Sequence, residues 1–130
     1  QLGLPEGLEE IAQNVQQSTQ LNVTFQEVGF PQTALTETQK IMLYRIAQEL
    51  TQNALKHASA TNILIQLIWS AEQVQLIVED DGIGFDTQTA KKGIGLRSIQ
   101  SRIEYLNGSA DFDSEKGAGT TVTVQAPLLM

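Results

Sequence analysis

The chain has 130 residues, which is about one domain, and 41% of them are hydrophobic, enough to bury a core. Charged residues make up 18%, fewer than in an average soluble domain. The 15 acidic and 8 basic residues give a net charge of −7 at pH 7. This charge disfavours nucleic acid as the main partner, because proteins that bind nucleic-acid phosphates usually carry a basic face. The sequence contains no cysteine, which excludes disulfide frameworks, thiolate zinc sites and cysteine nucleophiles, and it shows neither a transmembrane-length apolar run nor a signal peptide.

The first half of the chain predicts helix, strand and helix. Apolar residues at helical spacing predict a helix over about 5–20, and alternating apolar and polar residues predict a strand over 21–28. Thr36, three residues before Gln39, predicts a capping box at the start of a long helix that runs to about residue 58. At about 100° per residue, one stripe of that helix faces the core: Leu43, Ile46, Ala47, Leu50, Ala54 and Ala58.

The second half predicts four strands and a third helix. The strands are expected over 62–70, 73–81, 109–114 and 120–126, and the helix opens after Gly93-Ile94-Gly95 and stops at Asn107-Gly108. Two of the strand pairs look like hairpins, which favours antiparallel pairing. The sequence therefore predicts an α+β two-layer sandwich, in which a mixed, mostly antiparallel sheet of about five strands is covered on one face by three helices.

Asp80 is an unusual residue for its place in the predicted strand 73–81. Strand alternation puts it on the same face as Leu76 and Val78, where an unpaired carboxylate is costly and needs a donor. Two interpretations remain open. Asp80 either caps an Asp-Asp-Gly turn after the strand has ended, or it is a buried acceptor for an N–H group of a ligand.

Three glycine pairs lie next to predicted elements. They are Gly82 and Gly84 after a strand, Gly93 and Gly95 before a helix, and Gly117 and Gly119 before a strand. Glycine lets a backbone approach a ligand closely, and a helix N-terminus favours phosphate, although each pair alone is more often a simple turn. The chain lacks both the G-x-G-x-x-G fingerprint and the Gly-Lys-Ser/Thr of a P-loop, so a phosphate site here is of another kind.

Glu49, Asn53 and Lys56 form a polar flank beside the apolar stripe of the long helix, because spacings of three, four and seven residues project from one side. A carboxylate, an amide oxygen and an ammonium group there could serve a hard cation such as Mg²⁺ and its phosphates. The plainer alternative is a solvated polar face, and the spacing alone favours that alternative.

Four segments in order resemble the conserved boxes of a known family. Residues 43–58 resemble the N box of histidine kinases, 80–86 the G1 box, 93–103 the G2 box of kinases with a short ATP lid, and 117–127 the closing strand. The chain is thereby similar, over about 36–127, to the ATP-binding catalytic domain of bacterial two-component sensor histidine kinases. The resemblance implies the Bergerat fold, which gyrase B, the heat-shock chaperone of that superfamily and MutL share.

The resemblance also implies a role for each matching residue. Asn53 would bind Mg²⁺, and Glu49 would orient a metal-bound water or act as a base. Asp80 would accept a hydrogen bond from the adenine amino group of ATP, Thr120 would support that site, and Lys56 would touch the phosphates. Gly82 and Gly84 would let the chain pass the nucleotide, and Leu96 would contact it. Gly93 and Gly95 would hinge a lid over about 85–92 and help to hold the phosphates.

The implied partners lie outside this sequence. In an intact kinase the domain would transfer the γ-phosphoryl group of ATP to a histidine of an adjacent dimerisation domain, for relay to a response regulator. The phosphoacceptor helices are absent and the single histidine, His57, lies in the proposed cation flank. The isolated chain is therefore expected to bind Mg-ATP as a monomer without autophosphorylating, as a cytoplasmic part of a homodimeric parent, membrane-anchored or not. The short lid resembles that of kinases that pair with nitrate-sensing-type regulators.

Three other functions compete with this one. An ATP hydrolase of the gyrase and chaperone kind would use Glu49 to activate water, although such domains usually carry long insertions. A regulatory switch or an anti-sigma-type serine kinase would keep ATP binding without histidine phosphorylation. A purely structural domain would need all four motifs to be turns or solvated faces.

Overall fold

The computed structural model describes residues 3–57, 61–82, 96–114 and 117–128. These ranges hold three helices and five strands, with ends within one or two residues of those predicted. The helices are α1 (Leu4–Ser18), α2 (Glu37–His57) and α3 (Leu96–Tyr105). The strands are β1 (Asn22–Val28), β2 (Asn62–Trp69), β3 (Gln73–Asp80), β4 (Ser109–Ser114) and β5 (Thr120–Pro127).

The five strands form one sheet in the order β1-β2-β3-β5-β4. β1 and β2 are parallel, because α2 lies between them in the chain and returns the backbone to the same end of the sheet. The other three pairings are antiparallel. The predicted mixed, mostly antiparallel sheet is confirmed.

All three helices pack on one face of the sheet: α1 against β1, α2 against β2 and β3, and α3 against β4. Alternate residues of the central strands are buried beneath them, including Ile65, Leu76 and Val124, each fully buried. The opposite face of the sheet carries mostly polar side chains. The two-layer sandwich predicted from alternation and helical spacing is therefore confirmed.

The start of α2 is fixed by the predicted capping box. The Thr36 N–H donates to Gln39 Oε1 at 2.9 Å, and the Gln39 N–H donates to Thr36 Oγ1 at 3.1 Å. Gln39 is buried, and its amide nitrogen also donates to the carbonyl oxygen of Pro127 at 3.2 Å, which ties α2 to the end of β5. The predicted core stripe of α2 is buried at Leu43, Ile46, Ala47, Leu50 and Ala54, whereas Ala58 lies outside the described residues.

The ends of the other two helices follow local rules. α3 stops where Asn107 adopts a φ of 56°, and the Gly108 N–H donates to the Ile103 carbonyl at 2.9 Å. α1 ends two residues before the predicted end, because Thr19 is extended and both its N–H and its hydroxyl bond to the Val15 carbonyl. Over the described ranges, no helix combines the length and the apolar character needed to cross a bilayer.

Candidate functional site

Asp80 lies at the end of β3 on the helix-covered face of the sheet, as strand alternation predicts. It pairs with Ile63 on β2 and with Thr120 on β5, and both of these neighbours are buried. α2 packs on the same face, and its last residue, His57, precedes the start of β2 by only a few residues. The C-terminal end of α2 and the end of β3 therefore meet at one corner of the domain.

The polar flank of α2 reaches this corner. Asn53 is four residues before the end of the helix, a rise of about 6 Å, and Glu49 is one turn further back. Both residues are half-buried, whereas Lys56 is exposed. A fully solvated face therefore does not describe Glu49 and Asn53.

The Asp80 carboxylate is half-buried and already engaged in a turn, since its Oδ1 accepts the Gly82 N–H at 2.8 Å. Burial raises the pKa of Asp80, and the carboxylates of Asp81 and Glu79 add to that rise, while the N–H groups of Gly82 and Thr120 oppose it. The first sequence interpretation is confirmed, because Asp80 caps the turn through the Gly82 N–H. The second, that Asp80 accepts an N–H group of a ligand, stays a prediction.

The neighbouring carboxylate, Asp81, is exposed and holds the sheet corner together. Its oxygens accept the backbone N–H and hydroxyl of Thr61 at 2.8 and 2.7 Å, and the backbone N–H and side-chain amide of Asn62 at 2.9 and 2.8 Å. The side-chain bond from Asn62, followed by the other three bonds, holds the pKa of Asp81 well below its usual range. This role of Asp81 was not predicted from the sequence. Thr61 and Asn62, two polar residues at the start of β2, were the only hint in the sequence of a partner for Asp81.

Asp81→Asn should destabilise the domain at neutral pH, and the difference from wild type should shrink in acid. A carboxyl group whose pKa is lowered by folding contributes stability above its unfolded value, near 3.8, and loses it as the pH falls below that value. Urea unfolding of both proteins at pH 7 and near pH 3 measures this. A difference that stays constant across the two pH values would contradict the role of the ionised carboxylate.

Thr120 is buried beside Asp80 and belongs to a small hydroxyl cluster. Its Oγ1 lies 2.8 Å from Ser114 Oγ, and the Ser114 hydroxyl is also 3.2 Å from the Gly119 carbonyl oxygen. Gly119 has a φ of +82°, and a Cβ there would clash with the carbonyl oxygen of Asp80. The turn through Gly117 and Gly119 that precedes β5, called the closing turn below, therefore packs directly against the end of β3. Ser114 was not anticipated.

Glu49 contacts α3 through two donors. Arg102 Nη1 forms an ion pair with Glu49 Oε1, and the Ser98 hydroxyl lies 3.3 Å from the same oxygen. Ser98 and Arg102 are four residues apart, so they project from one side of α3. Sequence reasoning missed both residues. The sequence does show polar residues at helical spacing on both α2 and α3. It does not show that these two polar faces contact each other.

Most of the chain matches the model of a known protein family. Residues 38–130 match the family described as histidine kinase-, DNA gyrase B-, and HSP90-like ATPase. The chain belongs to this ATPase family. The matched range includes the polar flank of α2, the end of β3 and the strand β5. ATP is the nucleotide expected of a member of this family.

Relatives of this ATPase domain are named as sensor kinases. It is 36% identical over 93 residues to the signal transduction histidine-protein kinase/phosphatase DegS of Bacillus subtilis, covering 68% of this chain and 24% of DegS. It is 31% identical over 130 residues to the sensor histidine kinase ComP of Bacillus subtilis, covering 98% of this chain and 17% of ComP. The chain therefore spans a quarter or less of these relatives.

A solved structure supports the fold of the ATPase domain. The ATP-binding domain of PrrB from Mycobacterium tuberculosis superimposes with a TM-score of 0.75 at 18% identity, over 99% of this chain and 96% of that one. The Bergerat fold and the resemblance to kinase ATP-binding domains are confirmed. The nitrate-sensing subfamily stays a prediction.

Part of the predicted site lies outside the described residues of the ATPase domain, namely Gly84, Gly93, Gly95 and the lid over 85–92. Leu96 is the first residue of α3, but its side chain is also outside the description. Their assigned roles stay predictions. The fold brings five other predicted residues to one corner, and their binding roles stay predictions as well: Glu49, Asn53, Asp80, Gly82 and Thr120.

Proposed function

We propose that residues 1–130 form one domain, the ATP-binding catalytic domain of a longer sensor histidine kinase. The domain binds Mg-ATP and donates the γ-phosphoryl group to a histidine of the parent's dimerisation domain, for relay to a response regulator. The observation that carries this function is the half-buried carboxylate of Asp80 at the corner where the Glu49–Asn53 flank of α2 ends.

The adenine end of the nucleotide belongs at Asp80. Its carboxylate is half-buried with a raised pKa, so it gains from an added donor, and the exocyclic amino group of adenine supplies one. Guanine presents an oxygen at the corresponding position and would oppose the carboxylate, which favours ATP over GTP. Gly82 and the buried Thr120 hold Asp80 in place from either side.

The phosphate end belongs on the flank of α2. Mg²⁺ prefers oxygen ligands and keeps several waters, and the amide oxygen of Asn53 with the carboxylate of Glu49 one turn away fits that preference. When bound, Mg²⁺ neutralises charge that develops on the transferred phosphoryl group. With the metal bound, Glu49 would orient a metal-bound water or act as a base, and the exposed Lys56 is available to the phosphates. Gly84, Gly93, Gly95 and Leu96 complete the proposed nucleotide contacts.

The remaining partners follow from the same proposal. The dimerisation domain of the parent brings two copies together, while this domain alone is a monomer on the cytoplasmic side of the cell envelope. The net charge of −7 disfavours nucleic acid as a further partner.

Phosphotransfer to a separately supplied dimerisation domain of the parent tests the function. With Mg²⁺ and γ-labelled ATP, acid-labile label should appear on the added domain and not on the chain alone. Asn53→Ala should reduce the rate of phosphotransfer by about 10- to 100-fold, the loss typical of residues that support a metal site.

Asn14→Ala, on the exposed side of α1, is the matched control and should leave the rate unchanged. Phosphate release without label on the added domain would instead show a hydrolase. Acid-stable label on a serine would show a serine kinase.

A further inference from the structure

The contact between Glu49 and α3 is built from one oxygen and two donors. Arg102 Nη1 and Ser98 Oγ both reach Oε1 of Glu49, and neither of these donors reaches Oε2. The side chains of Glu49 and Arg102 are 32% and 23% exposed, so the pair lies at the edge of the helix–helix contact rather than in open solvent.

The two donors come from one helix that is packed on the core. Ser98 and Arg102 lie one turn apart on α3, and Ile99 and Ile103 beside them are buried in the core. A glutamate on a helix surface normally samples several rotamers, and ordering it costs entropy. Two donors fixed on a packed helix remove that freedom and set the orientation of the carboxylate before any ligand arrives.

We propose that Arg102 and Ser98 are positioning residues for Glu49. Among the described residues they contact only Oε1 of Glu49, which leaves Oε2 as the oxygen that would accept a hydrogen bond from a water of a Mg²⁺ held at Asn53. This inference rests on the proposed function. It also links the metal end of the site to α3, which begins at Leu96 directly after the G2-box glycines in the sequence.

A merely structural role for the ion pair makes a different prediction. If Arg102 only pinned α3 to α2, its loss would weaken nucleotide binding equally with and without Mg²⁺, through a looser fold. If Arg102 orients Glu49 towards a metal-bound water, its loss weakens only the Mg²⁺-dependent part of ATP affinity.

Calorimetric titration of ATP with Mg²⁺ and with EDTA separates the two roles. For Arg102→Gln we expect about a 10-fold loss of the Mg²⁺-dependent gain in affinity, with the dissociation constant in EDTA unchanged. Arg102→Lys should restore part of the gain because it keeps a cation, and Ser98→Ala should lose less than Arg102→Gln because a neutral hydroxyl is a weaker donor than a guanidinium. Glu104→Gln, an exposed residue of the same helix outside the G2-box segment, is the control and should behave as wild type.

An unchanged Mg²⁺ dependence in Arg102→Gln, or an equal loss in both conditions, would overturn the positioning role. A double-mutant cycle of Glu49→Gln and Arg102→Gln on urea unfolding tests the contact without nucleotide, and absence of coupling would overturn it as well. A wild-type chain that shows this coupling but does not bind ATP would contradict the proposed function rather than the contact.

Discussion

Gly119→Ala should destabilise the domain by roughly 2–4 kcal/mol in urea unfolding. Gly119 has a φ of +82°, a conformation that costs an L-residue roughly 1–2 kcal/mol. The added Cβ would also clash with the carbonyl oxygen of Asp80 and lie 3.3 Å from the Cα of Asp81, so the backbone of the site must shift. Because the obstacle is backbone, no side-chain rotation relieves it.

Gly117→Ala is the matched control for that substitution. Gly117 has a φ of +88°, but a Cβ there would meet nothing within 4 Å among the described atoms, so only the backbone cost of roughly 1–2 kcal/mol is expected. The difference between the two variants isolates the contact with Asp80. Equal destabilisation would show that the closing turn does not press on the end of β3.

Asp80→Asn should abolish stabilisation by ATP while making the nucleotide-free domain more stable at pH 7. The pKa of Asp80 is raised by folding, so its ionised form costs stability at neutral pH, and that cost disappears as the pH falls through the folded pKa. Asparagine removes the charge and keeps an oxygen for the Gly82 N–H. Its amide nitrogen, however, can meet the adenine amino group only as a second donor.

Thermal shift of wild type and variant, with and without ATP, measures both effects. ATP at about 100 times its dissociation constant adds about 2.7 kcal/mol to the wild type, and this gain should vanish in Asp80→Asn. Asp81→Asn is the matched control and should keep the ATP response. Asp81 is exposed and bonds Thr61 and Asn62 instead of lying on the helix-covered face of the sheet. An ATP response retained by Asp80→Asn would contradict the adenine assignment.

Local rules predicted most of the fold and part of the site. Strand alternation placed Asp80 and Thr120 on the covered face, and Thr36 with Gln39 located the start of α2. Each of these predictions depends on residues close together in sequence. The strand predictions are correct because one face of the sheet must be buried, which leaves little freedom in strand register. The helix start is correct because the capping box is a local hydrogen-bond pattern.

The contacts that sequence reasoning missed join distant segments. Arg102 meets Glu49 across 53 residues, and Asp81 meets Thr61 across 20. Periodicity shows which side of a helix is polar, but the choice of partner depends on how α3 lies against α2. The Ser114–Thr120 hydroxyl contact similarly depends on the register of β4 against β5.

Titration of the wild-type chain with ATP by calorimetry tests the central claim most directly. We predict saturable binding of one ATP per chain that strengthens when Mg²⁺ is present, with no comparable binding of GTP. The absence of binding at millimolar ATP, with or without Mg²⁺, would contradict the assignment of this corner as a nucleotide site.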